Sequence, residues 1–212
     1  NYASDDDLEQ DALRQKIQAL RDQKVAVVIA AGKHYYDHGS RQGMGYPGVI
    51  RECVSVGAVY DAPEGPFQYG DAVAYSTRAG QITPFSQRLH PDVNPNTYTD
   101  IFAPGAPVTS SGIMGPHGES TQHGTSQATP VTAGLILLIQ HFYQQAMGEL
   151  PDVDHVVTML RWGGVPIHDG DDEDDNVKHT DLDFVRADAL SALDAVRRAL
   201  QKRRLEEGMG TE

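Results

Sequence analysis

Between Val25 and Gly32 the chain reads Val-Ala-Val-Val-Ile-Ala-Ala-Gly, an apolar run with no polar interruption. A strand with one face in water alternates apolar and polar side chains. An unbroken run therefore implies a strand covered on both faces, as in a parallel sheet flanked by helices. The run is the longest of its kind in the chain and falls far short of the roughly 20 residues needed to cross a bilayer, so no membrane span is expected. Val54 to Tyr60 reads as a second such strand, and Thr99-Asp-Ile-Phe-Ala103 as a short one stopped by Pro104-Gly105. Covering both faces of a sheet takes length, and 212 residues of which 39% are hydrophobic suffice for one domain or most of one.

The covering helices are legible from their spacing. Ser4 and Asp7 followed by Leu8, Ala12, Ile17 and Leu20 predict a capped amphipathic helix ending near Asp22. Ala133, Leu135, Ile136, Leu138, Ile139 and Phe142 predict a largely buried helix over 127–144, with two more over 152–162 and 186–205. Residues 61–98 are rich in Gly, Pro, Asn and polar residues and read as a long loop excursion with room for one hairpin. The expected fold is α/β, a mainly parallel sheet with flanking helices, in one unit over 1–205 with a tail at 206–212.

Charge narrows the partners. The net of −13 comes almost wholly from two segments: residues 1–11, with Asp5, Asp6, Asp7, Glu9 and Asp11, and an acidic loop at 169–183 with eight acids against Lys178. The remainder is near neutral, so a nucleic-acid-binding face, which needs clustered positive charge, is not expected. The basic run from Arg197 to Arg204 reads as the solvated end of a helix. A lone cysteine, Cys53, excludes an internal disulfide framework and a cysteine-rich zinc module. Asn1 in place of Met, with no basic and apolar leader behind it, predicts that the chain is not the natural start of a translated protein.

Chemistry concentrates in Gly124-Thr-Ser-Gln-Ala-Thr-Pro-Val-Thr-Ala-Gly134. Ser126 opens a buried helix, where outward-pointing backbone N–H groups and the helix dipole favour developing negative charge. An isolated serine there would be read simply as an N-cap. The whole string, however, resembles the nucleophile motif of the subtilisin-like serine proteases, Gly-Thr-Ser-x-Ala-[Ser/Thr]-Pro-x-x-Ala-Gly, at every defining position. Chance would produce it on the order of once in 10⁷ chains of this length. Further segments are similar to the family in the same order: Val27-Val-Ile-Ala-Ala-Gly32, Gly45-Tyr46-Pro47, Val54-Ser-Val-Gly-Ala-Val59, Pro84-Phe85-Ser86 and Phe102-Ala-Pro-Gly105.

The resemblance implies the C-terminal half of a three-layer fold and a serine endopeptidase with Ser126 as nucleophile. It also implies a substrate-binding wall of Ala30, Ala31, Gly32, Tyr46 and Thr125, a peptide or protein substrate, and a secreted or cell-envelope location. In this family an Asp and then a His precede the serine. Neither of those motifs stands ahead of Val25, so the base and its orienter are expected from a missing N-terminal half, and the chain alone is expected to be inactive. His123 is expected to be a loop histidine and not the base. The family places an Asn at the oxyanion position where this chain has Lys33, either an electrostatic substitute or an impairment, since loss of the donor in subtilisin itself costs on the order of 10²–10³ in turnover.

Two weaker signals remain. His34, Asp37 and His38 present either a metal-ligand set or ordinary loop hydrogen bonds. The acidic loop lacks the order of an EF-hand and reads as solvated, leaving calcium as the one cofactor open. The rival to the peptidase is a non-catalytic module of the same resemblance that binds an extended peptide or protein; Lys33 and the missing partners favour it, whereas the intact serine string favours the enzyme.

Overall fold

Asp11 begins the first α-helix: its carboxylate accepts the Leu13 N–H at 2.7 Å, satisfying a donor that every helix start leaves open. In the computed structural model, which describes residues 1–8, 11–170 and 174–209, this helix, α1, spans Ala12–Asp22. A separate 3-10 turn covers Asp6–Leu8. The expected cap at Ser4 is corrected accordingly, because Ser4 Oγ accepts the Asp6 N–H and serves only that turn.

The chain then runs through β1 (Val28–Ala30), β2 (Val54–Val59), a hairpin of β3 (Phe67–Tyr69) and β4 (Ala72–Ala74), and β5 (Ile101–Pro104). A second hairpin, β6 (Val108–Ser111) and β7 (Glu119–Gln122), leads into α2 (Thr125–Met147), α3 (Val153–Trp162), β8 (Val165–Asp169), β9 (Leu182–Arg186) and α4 (Ala189–Met209). Five strands form one sheet in the order β1-β2-β5-β9-β8. All neighbours are parallel except β8 and β9. The α/β, mainly parallel architecture read from the sequence is the one observed.

Every residue of β2 is buried, as its unbroken apolar pattern requires. Val54, Val56 and Ala58 turn to one face, where they join Leu135, Ile136 and Ile139 of α2 and the apolar residues of α3 and α4 in the main core. On the other face Ile17 of α1 packs with Ile50, Cys53, Val27 and Ile29, and Val59 packs with Phe102 and Phe184. Gly57 permits this second layer, since a Cβ there would lie 2.2 Å from the Phe102 ring.

Several expectations change. The Val25–Ala31 run forms a strand only over Val28–Ala30, and each of its residues is partly exposed. Its faces are covered, but β1 is an edge strand with β2 on one side and no described strand on the other. Helix α2 starts at Thr125, two residues before the expected 127, and Pro130 is its sixth residue; the missing N–H leaves the Ser126 carbonyl without its usual partner. Leu138 and Phe142, expected in the core, are 52% and 39% exposed, because α2 is apolar almost all round and such a helix carries no mark of its inward face. Arg186 closes β9 opposite Phe102 and so does not open α4.

The acidic segment is not simply a solvated loop. Strand β8 carries Asp169 into full burial, and the Asp175 carboxylate is buried as well. The calcium reading falls partly on Asp171, Asp172 and Glu173, which lie outside the described residues. The hairpins β6–β7 and β8–β9 had no clear periodicity in the sequence.

Candidate active site

Gly124, Gly105 and Val59 form a ladder that fixes where Ser126 stands. The Gly124 N–H donates to the Gly105 carbonyl at 2.8 Å, and the Gly105 N–H to the Val59 carbonyl at 3.0 Å. A Cβ at Gly105 would lie 2.7 Å from both the Ala58 Cβ and the Gly124 oxygen, so only glycine lets the helix entrance come this close to the sheet. Ser126 therefore sits just beyond the C-terminal ends of β2 and β5, the edge where parallel sheets gather their sites. Its side chain is exposed, while Thr125 and Ala128 on either side are buried. At the start of a 23-residue helix, the N–H groups of Thr125 and Ser126 find no acceptor among the described residues, while those of Gln127 and Ala128 donate to the Gly124 carbonyl.

Ala30, Ala31 and Gly32 finish β1 on the same edge. Neighbouring strands lie about 4.8 Å apart, so this segment is roughly 10 Å across the sheet from the β5 end that holds Gly124. Gly32 has a φ of 114°, and a Cβ would meet Gln87 Oε1 at 2.0 Å; glycine is needed for both reasons. The loop after β1 is tied down by Gln87 N–H to the Gly32 carbonyl (2.9 Å) and Gly45 N–H to the Ala31 carbonyl (2.7 Å). Lys33 follows directly and is exposed. Tyr46 is also largely exposed, and its hydroxyl donates to Asp11 Oδ2 at 2.9 Å, fixing the ring beside the start of α1. The structure thus brings Ser126, Thr125, Ala30, Ala31, Gly32 and Lys33 to one edge and ties Tyr46 to α1.

His123 is held by the β3–β4 hairpin. Its Nδ1 lies 3.0 Å from the Tyr69 hydroxyl, its ring meets Phe67 edge-on at 4.8 Å, and Tyr69 continues to the Tyr60 hydroxyl at 3.1 Å. Burial lowers the His123 pKa, so the imidazole is neutral near pH 7, and it raises the Tyr69 phenol to about 12. These aromatic residues border the serine loop, yet no sequence pattern announces the pairing, which joins residues 54 positions apart. Among the described residues no group of three or more His, Cys, Asp or Glu side chains is arranged to hold a metal ion, and His34 and His38 only meet edge-on at 6.3 Å.

Residues 3–159 match the model of the Subtilase family. A search of curated proteins finds no match. Among solved structures, the Prenylagaramide maturation protease PagA aligns with a TM-score of 0.58 and 22% identity over 87% of this chain and 55% of its own. A lanthipeptide protease aligns with a TM-score of 0.58 and 18% identity over 92% and 58%. The PatG macrocyclase in complex with peptide aligns with a TM-score of 0.56 and 20% identity over 87% and 47%. At these identities the likeness is one of fold, and the chain spans little more than half the length of the first two.

Proposed function

Since the chain belongs to the subtilase family, we propose that it is the nucleophile-bearing part of a serine endopeptidase whose base and orienting carboxylate come from a segment completing the sheet beside β1. One observation carries this reading: Ser126 is an exposed hydroxyl at the N-terminus of a long helix, on the C-terminal edge of a parallel sheet. The substrate is a peptide, in keeping with the maturation proteases and the peptide-bound macrocyclase that share the fold.

In the completed enzyme, Ser126 Oγ attacks the scissile carbonyl while the supplied base takes its proton. The tetrahedral oxyanion faces the unengaged Ser126 N–H at the start of α2 and the Lys33 ammonium. The C–N bond then breaks, the amine leaves with the proton, and water releases the acyl group from Ser126. Ala30, Ala31 and Gly32 line the wall beside the residue before the cleaved bond, with Thr125 opposite. His123 takes no part as base: its ring is held by Tyr69 and Phe67, and among the described residues no hydrogen bond joins it to Ser126.

A fluorophosphonate probe tests the reading. The 212-residue chain alone shows no stoichiometric labelling, whereas the chain expressed with its completing segment is labelled, and Ser126→Ala abolishes the label. A completed protein that binds peptides but never labels would instead make this a peptide-binding module, the reading that Lys33 at the oxyanion position favours.

A further inference from the structure

At the opposite edge of the sheet, before β2 and β5 begin, a cavity of about 580 Å³ opens between α1, α3 and the loop at 95–98. Asp100 and Glu52 line it from the sheet side, Arg21 from α1, Arg161 and Trp162 from α3, and Tyr98 from the loop. None of these residues belongs to the site around Ser126, which lies past the other ends of the same strands.

The hydrogen-bonding capacity of the cavity is unbalanced. Its guanidinium groups are engaged: Arg21 donates to the Glu52 carbonyl and to Asp154, and Arg161 donates to the Asp100 carbonyl and stands 5.1 Å over the Tyr98 ring. Arg51 pairs with Asp5 and Glu52. Among the carboxylates, Asp100 has an acceptor to spare. Asp100 Oδ2 takes both the N–H and the hydroxyl of Ser55, and no described residue donates to its Oδ1, whereas Glu52 is paired with Arg14 and Arg51 and its Oε2 lies out of reach of solvent. A ligand that satisfied this cavity would bring donors and positive charge. Trp162 points the same way: it is 76% exposed at the rim and offers an aromatic face on which cations settle, the Tyr98 ring already carrying Arg161.

We propose that this cavity is a second binding site, which takes the guanidinium or ammonium end of a basic side chain on a peptide. The charged end reaches Asp100, its aliphatic stem lies along Trp162, and the volume beyond one side chain accommodates adjoining peptide groups. A volume of this size is within the range of small-ligand pockets. The site is independent of Ser126 and so stands or falls apart from the peptidase reading.

Trp162 is the chain's single tryptophan, so its fluorescence reports on this cavity alone. The full chain is titrated with an acetylated, amidated Ala-Arg-Ala peptide, its norleucine counterpart and free arginine. The arginine peptide gives a saturable change, the norleucine peptide none, and free arginine binds more weakly than the peptide. Asp100→Asn lowers the affinity for the arginine peptide roughly tenfold, as expected for loss of a charged hydrogen-bond partner. Trp162→Ala, at an exposed position that does not carry the fold, is followed by calorimetry and weakens binding about threefold or more. Ser126→Ala leaves it unchanged. Failure of the arginine peptide to saturate, equal binding of the norleucine peptide, or unaltered affinity in both cavity variants would overturn the proposal. Free arginine binding as tightly as the peptide would overturn its assignment to a peptide.

Discussion

Asp100 couples pH to stability in the direction opposite to most carboxylates. Burial dominates its environment and lifts its pKa from 3.8 to about 6, against the two hydrogen bonds from Ser55 and the charges of Arg161 and Arg21. Below pH 3.8 the group is protonated whether the chain is folded or not. Between 3.8 and about 6 the native state holds more protons than the unfolded one, so stability falls as pH rises, and the loss is complete above 6. Asp100→Asn keeps the shape and the acceptor while removing the charge. It is expected to stabilise the chain by about 3 kcal/mol at pH 8 and by little at pH 4, read from urea midpoints; an equal gain at both values would assign the effect to packing. Lys33 raises a different question, since its exposed side chain makes no hydrogen bond or ion pair among the described residues. A long unanchored stem is a poorly preorganised donor, so Lys33→Asn in the completed enzyme is expected to raise kcat with KM nearly constant. A fall in kcat would make the ammonium the better donor. The position of Ser126 was legible because its string is local and dense. The Tyr69–His123 contact was not, because no spacing rule links a loop hairpin to a residue so far along the chain.

At the scale of elements, β1 separates what an apolar run can say from what it cannot. Unbroken apolarity reports that both faces of a strand are covered, and Ile29 and Val27 on one face and Val28 on the other bear that out. It says nothing about the strand's edges. Ala31 donates to the Val56 carbonyl and Val27 accepts from Val54, so alternate residues of β1 bond towards β2. In a parallel ladder the intervening Val28 and Ala30 must turn their backbone groups to the open edge. The same blindness affects α2, whose apolar residues outnumber the positions its core contacts can use, so Leu138 and Phe142 were misplaced while Leu135, Ile136 and Ile139 were not. The proposed completing segment makes the open edge testable. Val28→Pro removes an outward N–H where an edge strand tolerates proline, so the chain alone is expected to keep its fold. Association with the completing segment is expected to weaken roughly tenfold or more, from one lost ladder bond and the bulk of the ring, in a pull-down or calorimetric titration. Unchanged association would show that the segment docks elsewhere.

Across the whole molecule, a buried ionic clasp ties the C-terminal hairpin to the loop after Lys33. Arg88 and Asp169, both fully buried and 81 positions apart, form an ion pair. Asp169 also accepts from His179 at 3.0 Å and from the Thr180 hydroxyl at 2.7 Å, and His179 Nε2 lies 3.2 Å from Asp175. On its other side the Arg88 guanidinium stacks 4.0 Å over the Tyr35 ring, whose hydroxyl donates to the Lys178 carbonyl. Three distant stretches, around 35, 88 and 169–180, thus meet at one point. The sequence could only show an acidic run there, since nothing local announces that an arginine from another loop will neutralise its first residue. Burial alone would raise the Asp169 pKa, but the Arg88 charge and the bonds from His179 and Thr180 outweigh it and hold the carboxyl well below its usual range. Its contribution to stability is therefore fully present above pH 3.8 and is lost as pH falls through that depressed folded value. A buried pair of this kind adds little net stability over an apolar pair, yet removing one partner strands the other charge. Arg88→Met and Asp169→Leu are each expected to cost about 3–5 kcal/mol at pH 7. The double variant should cost clearly less than the two losses together, because neither charge is then left without its counterpart. Strict additivity in the denaturation midpoints would mean that Asp169 serves mainly to hold His179 and Thr180, with Arg88 anchored instead by Tyr35 and its own carbonyl partners at Thr83 and Ser86.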